Sequence, residues 1–213
     1  MPTTNSYKIR TKKDNLFLRV SHGHFATSHS HINYYIDVTT QKSRLSEAQA
    51  VAKELVSYYN NTTIVDTVLC LDGTQVIGTC LAEELTRGNF MNLNAHQTIY
   101  VVTPEHTTGS QLIFRDNITP MIEGKNVLVL AASVTTGYTA QAAIEAINYY
   151  SGKVAGVCAI FATVDKCAGH PVYSVFDPKD LGDYASYNSH ECPMCKKGEK
   201  IDALVNSFGF SKL

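Results

Sequence analysis

Short apolar runs and spaced apolar stripes alternate along this chain and divide it into strands and helices. Apolar stretches at residues 15–20 and 33–38 predict strands on either side of a histidine-rich stretch, 22–31. Over 46–59, Ala48, Val51, Ala52, Leu55 and Val56 recur at helical spacing. Ser46 is placed to cap that helix and Asn60-Asn61 to end it. A buried-type strand at 67–71 runs into Asp72-Gly73, a turn signal, and then into a helix from 75 to about 85. Residues 98–102 predict another strand. The polar, Thr-rich stretch 103–117 that follows has the length of a functional lid. Strands at 127–130, 154–161 and 172–176, with a helix at 140–150, complete the pattern. Strands alternating with helices predict an α/β protein with a central, mostly parallel sheet flanked by helices. Near the end, Ile201, Leu204, Val205 and Phe208 make one apolar helical face and predict a short C-terminal helix.

At 213 residues the chain can build one sizeable α/β domain with a small appendage, here read as 1–180 and 181–213. A net charge of -1 gives no general attraction to nucleic acid or anionic lipid, so neither is expected as a partner. No segment approaches the roughly 20 consecutive apolar residues of a membrane span. The polar first 14 residues lack a signal-peptide core. A cytoplasmic, reducing location follows as the expectation, with cysteines kept as thiols, metal ligands or nucleophiles. Cys70, Cys80 and Cys158 sit inside apolar runs and read as small core residues.

The segment with the most chemistry is 126–139. A buried strand delivers the chain to the carboxyl edge of the sheet, where α/β proteins place ligands. Ser133, Val134, Thr135, Thr136, Gly137, Tyr138 and Thr139 follow. Small and hydroxyl residues allow a tight turn with outward N–H groups, and the next helix adds its positive end, a combination suited to phosphate. The same residues would also serve a plain strand-to-helix turn capped by threonines. The physics of the segment leaves both readings open.

This segment resembles the phosphoribosyl-pyrophosphate (PRPP) signature of type I phosphoribosyltransferases: an apolar strand, two acidic residues, two small or aliphatic residues, then Thr-Thr-Gly-x-Thr. Thr135, Thr136, Gly137 and Thr139 match the part that holds the 5′-phosphate in that family. Gly23-His24-Phe25, Ser30-His31 and Tyr35 resemble the N-terminal substrate hood (about 15–40) of orotate phosphoribosyltransferases in particular. Asp72, Gly73 and Thr74 fall where the family contacts pyrophosphate, and His106 and Gly109 fall in its lid. The resemblance implies the type I phosphoribosyltransferase fold, a homodimer, and a phosphoribosyl-containing small molecule or nucleotide as ligand. It also implies transfer of phosphoribosyl from PRPP to a pyrimidine-type base.

Two departures touch the chemistry. The family's acidic pair falls on Ala131 and Ala132, which cannot hold ribose hydroxyls or stabilise positive charge at the anomeric carbon. The basic lid is replaced by Val102-Thr103-Pro104-Glu105-His106-Thr107-Thr108-Gly109, with Arg115 further on. Losing a preorganised electrostatic partner of a transition state typically costs several kcal/mol, hence orders of magnitude in rate. The expectation is a preserved 5′-phosphate site with weak or absent transfer, and magnesium only if the protein is catalytically active. Two alternatives stand beside it: a non-catalytic nucleotide or PRPP sensor, and a transferase whose acidic groups have moved, for example to Asp72, Glu83 or Glu105.

Cys192-Pro193-Met194-Cys195 followed by Gly198 has the form of half a zinc knuckle. Cys167 and His170 would complete a Cys3His zinc set, with His190 as a spare candidate. A zinc-stabilised structural or interaction protein is therefore a further reading. His22, His24, His29 and His31 form H-x-H-x4-H-x-H, where alternate strand positions share a face; these are assigned first to the hood rather than to metal.

Overall fold

The long strand Asn126–Val134 lies between Thr67–Cys70 and Lys153–Ala162, parallel to both, and Thr67–Cys70 pairs in parallel with Tyr100–Val102. The computed structural model describes residues 6–10, 16–87, 91–95, 97–108 and 111–213. Within them the chain groups into two compact units, 41–175 and 1–40 with 176–213.

In the 41–175 unit the sheet runs Lys166–Cys167, His170–Phe176, Lys153–Ala162, Asn126–Val134, Thr67–Cys70, Tyr100–Val102. The helix Gln75–Thr86 connects two of the parallel strands and Tyr138–Tyr149 connects another two. This is the α/β architecture expected from the alternation of patterns. The core follows from composition: Val127, Leu128, Val129 and Leu130 are fully buried, as expected for a strand covered on both faces. Ile144, Ile147 and Ala143 from the helix Tyr138–Tyr149 pack into the same cluster. Gly78 lets the helix Gln75–Thr86 approach its strand, since a Cβ there would stand 2.3 Å from the Cys70 sulfur.

The apolar stripe Ala48, Val51, Ala52 and Leu55 is buried as its spacing predicts, on the helix Leu45–Val56. Ser46 is not its cap: the helix starts earlier, with Arg44 at the cap position and the Arg44 carbonyl accepting the N–H groups of Glu47 and Ala48. The lid stretch is not a plain loop, because Glu105–His106 and Leu112–Ile113 pair as a minimal antiparallel ladder.

The second unit carries its own sheet, ordered Ser186–Tyr187, His31–Asp37, Phe17–Ala26, Ala203–Asn206, Gly209–Lys212, with Ser6–Arg10 also pairing to Phe17–Ala26. The histidine-rich stretch is part of this sheet. Phe17–Ala26 and His31–Asp37 form an antiparallel hairpin, turned at Thr27–Ser30 and irregular between His22 and Phe25. The C-terminal helix expected at Ile201–Phe208 is replaced by the hairpin Ala203–Asn206 and Gly209–Lys212. Ala203 and Val205 point inward while Leu204 and Asn206 face out, a period of two. The apolar positions there fit either period. Parallel pairing of Ala203 and Leu204 with Phe25 and Ala26 satisfies the backbone in a way that a lone helical turn would not.

Candidate functional site

The phosphate-type loop sits at the carboxyl end of Asn126–Val134. Its backbone carbonyls are turned inward: Thr163 Oγ1 donates to the Thr135 carbonyl at 2.8 Å, Thr163 N–H to the Val134 carbonyl at 3.0 Å, and Cys167 Sγ contacts the Gly137 carbonyl at 3.6 Å. Gly137 has φ of 81°, in the left-handed region, and the helix Tyr138–Tyr149 begins straight after it with no side-chain cap. Ser133, Thr136 and Thr139 are exposed, Thr135 and Gly137 half-buried, and Val134 buried. The loop therefore exposes Ser133, Thr136 and Thr139 beside the N-terminus of a helix, while the carbonyls of Val134, Thr135 and Gly137 are engaged by Thr163 and Cys167.

Ala131 and Ala132 are buried, and Ala131 belongs to the hydrophobic cluster of the unit. Of the acidic candidates, Asp72 contacts the Ala132 backbone; it follows the neighbouring strand, with φ of 54° and Gly73 at 78° after it. Burial pushes the Asp72 carboxyl above the usual range. A hydrogen bond from the Ala132 backbone and the charges of Lys42 and His106 pull it back down. The structure thus joins Asp72 to the backbone of Ala132, and His106, the lid candidate, acts on the Asp72 carboxyl through its charge. Lys42 joins them, donating from Nζ to the Asp72 carbonyl at 2.9 Å. Nothing in the spacing of the sequence marked Lys42; it reaches Asp72 from the short helix Thr39–Ser43, 30 positions earlier.

Thr74 takes a different part from the one expected. It is fully buried, and its hydroxyl is spent on the carbonyls of Leu71 at 2.8 Å and Leu130 at 3.1 Å. It ties the turn to the central strand and offers nothing to a ligand. Gly109 lies outside the described residues. In the lid, Arg115 is engaged by Glu105, so its charge is already answered.

A second constellation stands in the other unit. His24, His31, Cys192 and Cys195 converge, their ligand atoms all within 4.8 Å of one another, a group that could hold a metal ion. The set expected from spacing is corrected here. Cys192 and Cys195 take part, but their companions are the two hairpin histidines, not Cys167 and His170. Those two residues face each other across the short ladder Lys166–Cys167 and His170–Phe176, and Cys167 is turned to Gly137. The H-x-H pattern held the signal for His24 and His31, since a hairpin places residues from both strands side by side.

No family model matches the chain. The orotate phosphoribosyltransferase of Chlorobaculum parvum is 27% identical over 188 residues, 85% of this chain and 86% of that protein. That of Thermoanaerobacter sp. (strain X514) is 38% identical over 77 residues, 36% of this chain and only 39% of that protein. Among solved structures, Mycobacterium tuberculosis H37Rv orotate phosphoribosyltransferase matches in its complex with Fe(III) dicitrate at a TM-score of 0.52 and 20% identity, covering 78% of this chain and 93% of that one. In its complex with inorganic phosphate the TM-score is 0.50 at 19% identity, covering 71% and 82%. These likenesses show that the chain has the type I phosphoribosyltransferase fold and that along most of its length it is similar to orotate phosphoribosyltransferases.

Proposed function

We propose that this protein binds a phosphoribosyl-bearing small molecule or nucleotide by its 5′-phosphate at Ser133–Thr139, and that transfer from PRPP to a pyrimidine-type base is weak or absent. One observation carries the reading: a helix opens straight after left-handed Gly137, with Ser133, Thr136 and Thr139 exposed beside it, while the two positions before the loop are buried alanines. Binding of a monophosphate needs only N–H groups, hydroxyls and the helix end. Transfer needs, in addition, charges aimed at the anomeric carbon and at the leaving pyrophosphate. Those charges are missing at Ala131 and Ala132, and Arg115 is paired with Glu105.

Magnesium does not fit the loop well. Asp72 is the carboxylate bonded to the Ala132 backbone, and Lys42 donates to the Asp72 carbonyl beside it. A hard cation prefers several oxygen ligands and no adjacent cation. No helix of the described residues is long and apolar enough to cross a membrane. The family resemblance supports a homodimer in the cytoplasm as part of the same proposal.

A second reading is favoured by the Asp72–Ala132 contact. Asp72 would supply, from the neighbouring strand, a carboxylate in place of the missing pair, and the protein would be a slow transferase. Titration calorimetry with PRPP, orotate, UMP and orotidine monophosphate, with and without magnesium, tests the proposal. Binding of UMP or orotidine monophosphate in the absence of magnesium is expected. Failure of every phosphorylated ligand to bind would leave only a structural role for the fold.

A further inference from the structure

His24 and His31 face each other across the Phe17–Ala26 and His31–Asp37 hairpin, with His24 Nε2 3.1 Å from His31 Nδ1. The turn at Cys192–Gly198 brings two sulfurs to the same point. Cys192 Sγ lies 3.5 Å from His24 Nε2, and Cys195 Sγ lies 3.6 Å from that atom and 3.3 Å from His31 Nδ1. Bond lengths of about 2.3 Å for Zn–S and about 2.05 Å for Zn–N at tetrahedral angles put sulfur and nitrogen about 3.5 Å apart and two nitrogens about 3.3 Å apart. The four observed separations match this pattern.

The surroundings point the same way. His24 Nδ1 faces the Glu199 carbonyl at 3.1 Å, which fixes its proton on Nδ1 and leaves the Nε2 lone pair aimed at the cluster. Asp202 accepts the His24 backbone N–H at 2.8 Å and holds the same strand in place. His24, His31 and Cys192 are buried, so water has little access to three of the four ligands. Gly198, at φ of 76°, turns the chain back, and its N–H donates to the Cys195 carbonyl at 2.9 Å. The need for such a staple is also visible. The apolar cluster joining the hairpin to the tail is small, built on Phe25, Ile32, Tyr35, Ala203 and Val205. Small cores of this kind are commonly completed by a metal or disulfide.

We propose that His24, His31, Cys192 and Cys195 form a closed, tetrahedral Cys2His2 zinc site that fastens the C-terminal tail to the N-terminal hairpin. Four protein ligands leave no open position, so the ion is structural and not a Lewis acid for substrate. Two thiolates with two imidazoles select zinc over magnesium, calcium or manganese. This site is independent of the phosphate loop, and it stands whether or not any nucleotide binds.

The test is metal analysis of the full chain, untagged and purified under reducing conditions from zinc-supplemented medium. One zinc per chain is expected. Cys195→Ser should drop zinc below a tenth of that value, while Cys167→Ser and His170→Ala should keep it. If Cys195→Ser does not fold, chelator-treated wild type titrated with cobalt decides the matter. Tetrahedral d–d bands with a thiolate charge-transfer band, saturating at one cobalt per chain, support the site. Zinc near zero, a Cys192–Cys195 disulfide in the reduced preparation, octahedral cobalt spectra, or loss of metal in the Cys167→Ser chain would each overturn it.

Discussion

Arg115 grips the Glu105 carboxylate with two hydrogen bonds, Nε to Oε2 at 2.7 Å and Nη2 to Oε1 at 2.5 Å. The pair is exposed, and it holds the Glu105 carboxyl below its usual range through the guanidinium hydrogen bond. A cation committed in this way is a poor partner for a leaving pyrophosphate. Glu105→Gln releases it, and pyrophosphate affinity should rise severalfold while the melting temperature barely moves, since exposed pairs contribute little. Calorimetry with pyrophosphate on both proteins checks this; unchanged affinity would show that Arg115 does not face the ligand.

Thr136 is exposed on the loop, and Gly137 holds a backbone conformation that favours glycine. Thr136→Val should weaken UMP binding by roughly tenfold or more, because a hydrogen bond to a charged group contributes about 1.5–3 kcal/mol. Its thermal stability should remain that of wild type. Gly137→Ala should lower both, with about 1–2 kcal/mol of stability lost to the left-handed φ. A parallel measurement of melting and UMP affinity separates the two effects, and equal UMP affinity in Thr136→Val would remove the phosphate from this loop.

Asp72 distinguishes a silent binding protein from a slow enzyme. It accepts the Ala132 backbone hydrogen bond, so Asp72→Asn keeps the shape and removes the charge. UMP affinity should change less than about threefold, since a monophosphate on the loop does not need this carboxylate. Any residual transferase rate should fall at least tenfold if Asp72 serves the reaction. A residual rate unaffected by the substitution would end the relocated-carboxylate reading.

Stability should decline at alkaline pH. Burial pushes the Cys70 thiol from 9.0 up to about 12, and burial likewise raises the Tyr35 and Tyr184 hydroxyls from 10.0 to about 12. Below the ordinary thiol value both folded and unfolded chains keep these protons, and stability is full. Above it the unfolded chain ionises first, so stability falls until the folded values are reached. Cys70 alone accounts for at most about 1.4 kcal/mol per pH unit in that window. Urea midpoints at about pH 8 and about pH 10 should differ, and Cys70→Ala should flatten the difference. A steeper slope in that variant would refute the assignment.

The 41–175 unit was largely legible in the sequence because its signals are local. A run such as Val127–Leu130 has only one good environment, and the stripe Ala48, Val51, Ala52, Leu55 has only one good period. The other unit was harder because its structure rests on distant partners. Ile201 to Phe208 satisfied the helical period as well as the strand period, and the choice was made by pairing with Phe25 and Ala26. Cys192 and Cys195 announced themselves by spacing. Their companions could not, since His24 and Cys192 are 168 positions apart. Lys42 beside Asp72 was hidden for the same reason.

The central claim is a retained phosphate site without ordinary transfer. The measurement that tests it most directly is the rate of pyrophosphate release from PRPP with saturating orotate and magnesium, on a preparation already shown to bind UMP. Release indistinguishable from the protein-free control is the predicted result. Turnover in the ordinary enzyme range, about 1–1000 per second, would contradict it and make the alanines at 131 and 132 compatible with full catalysis.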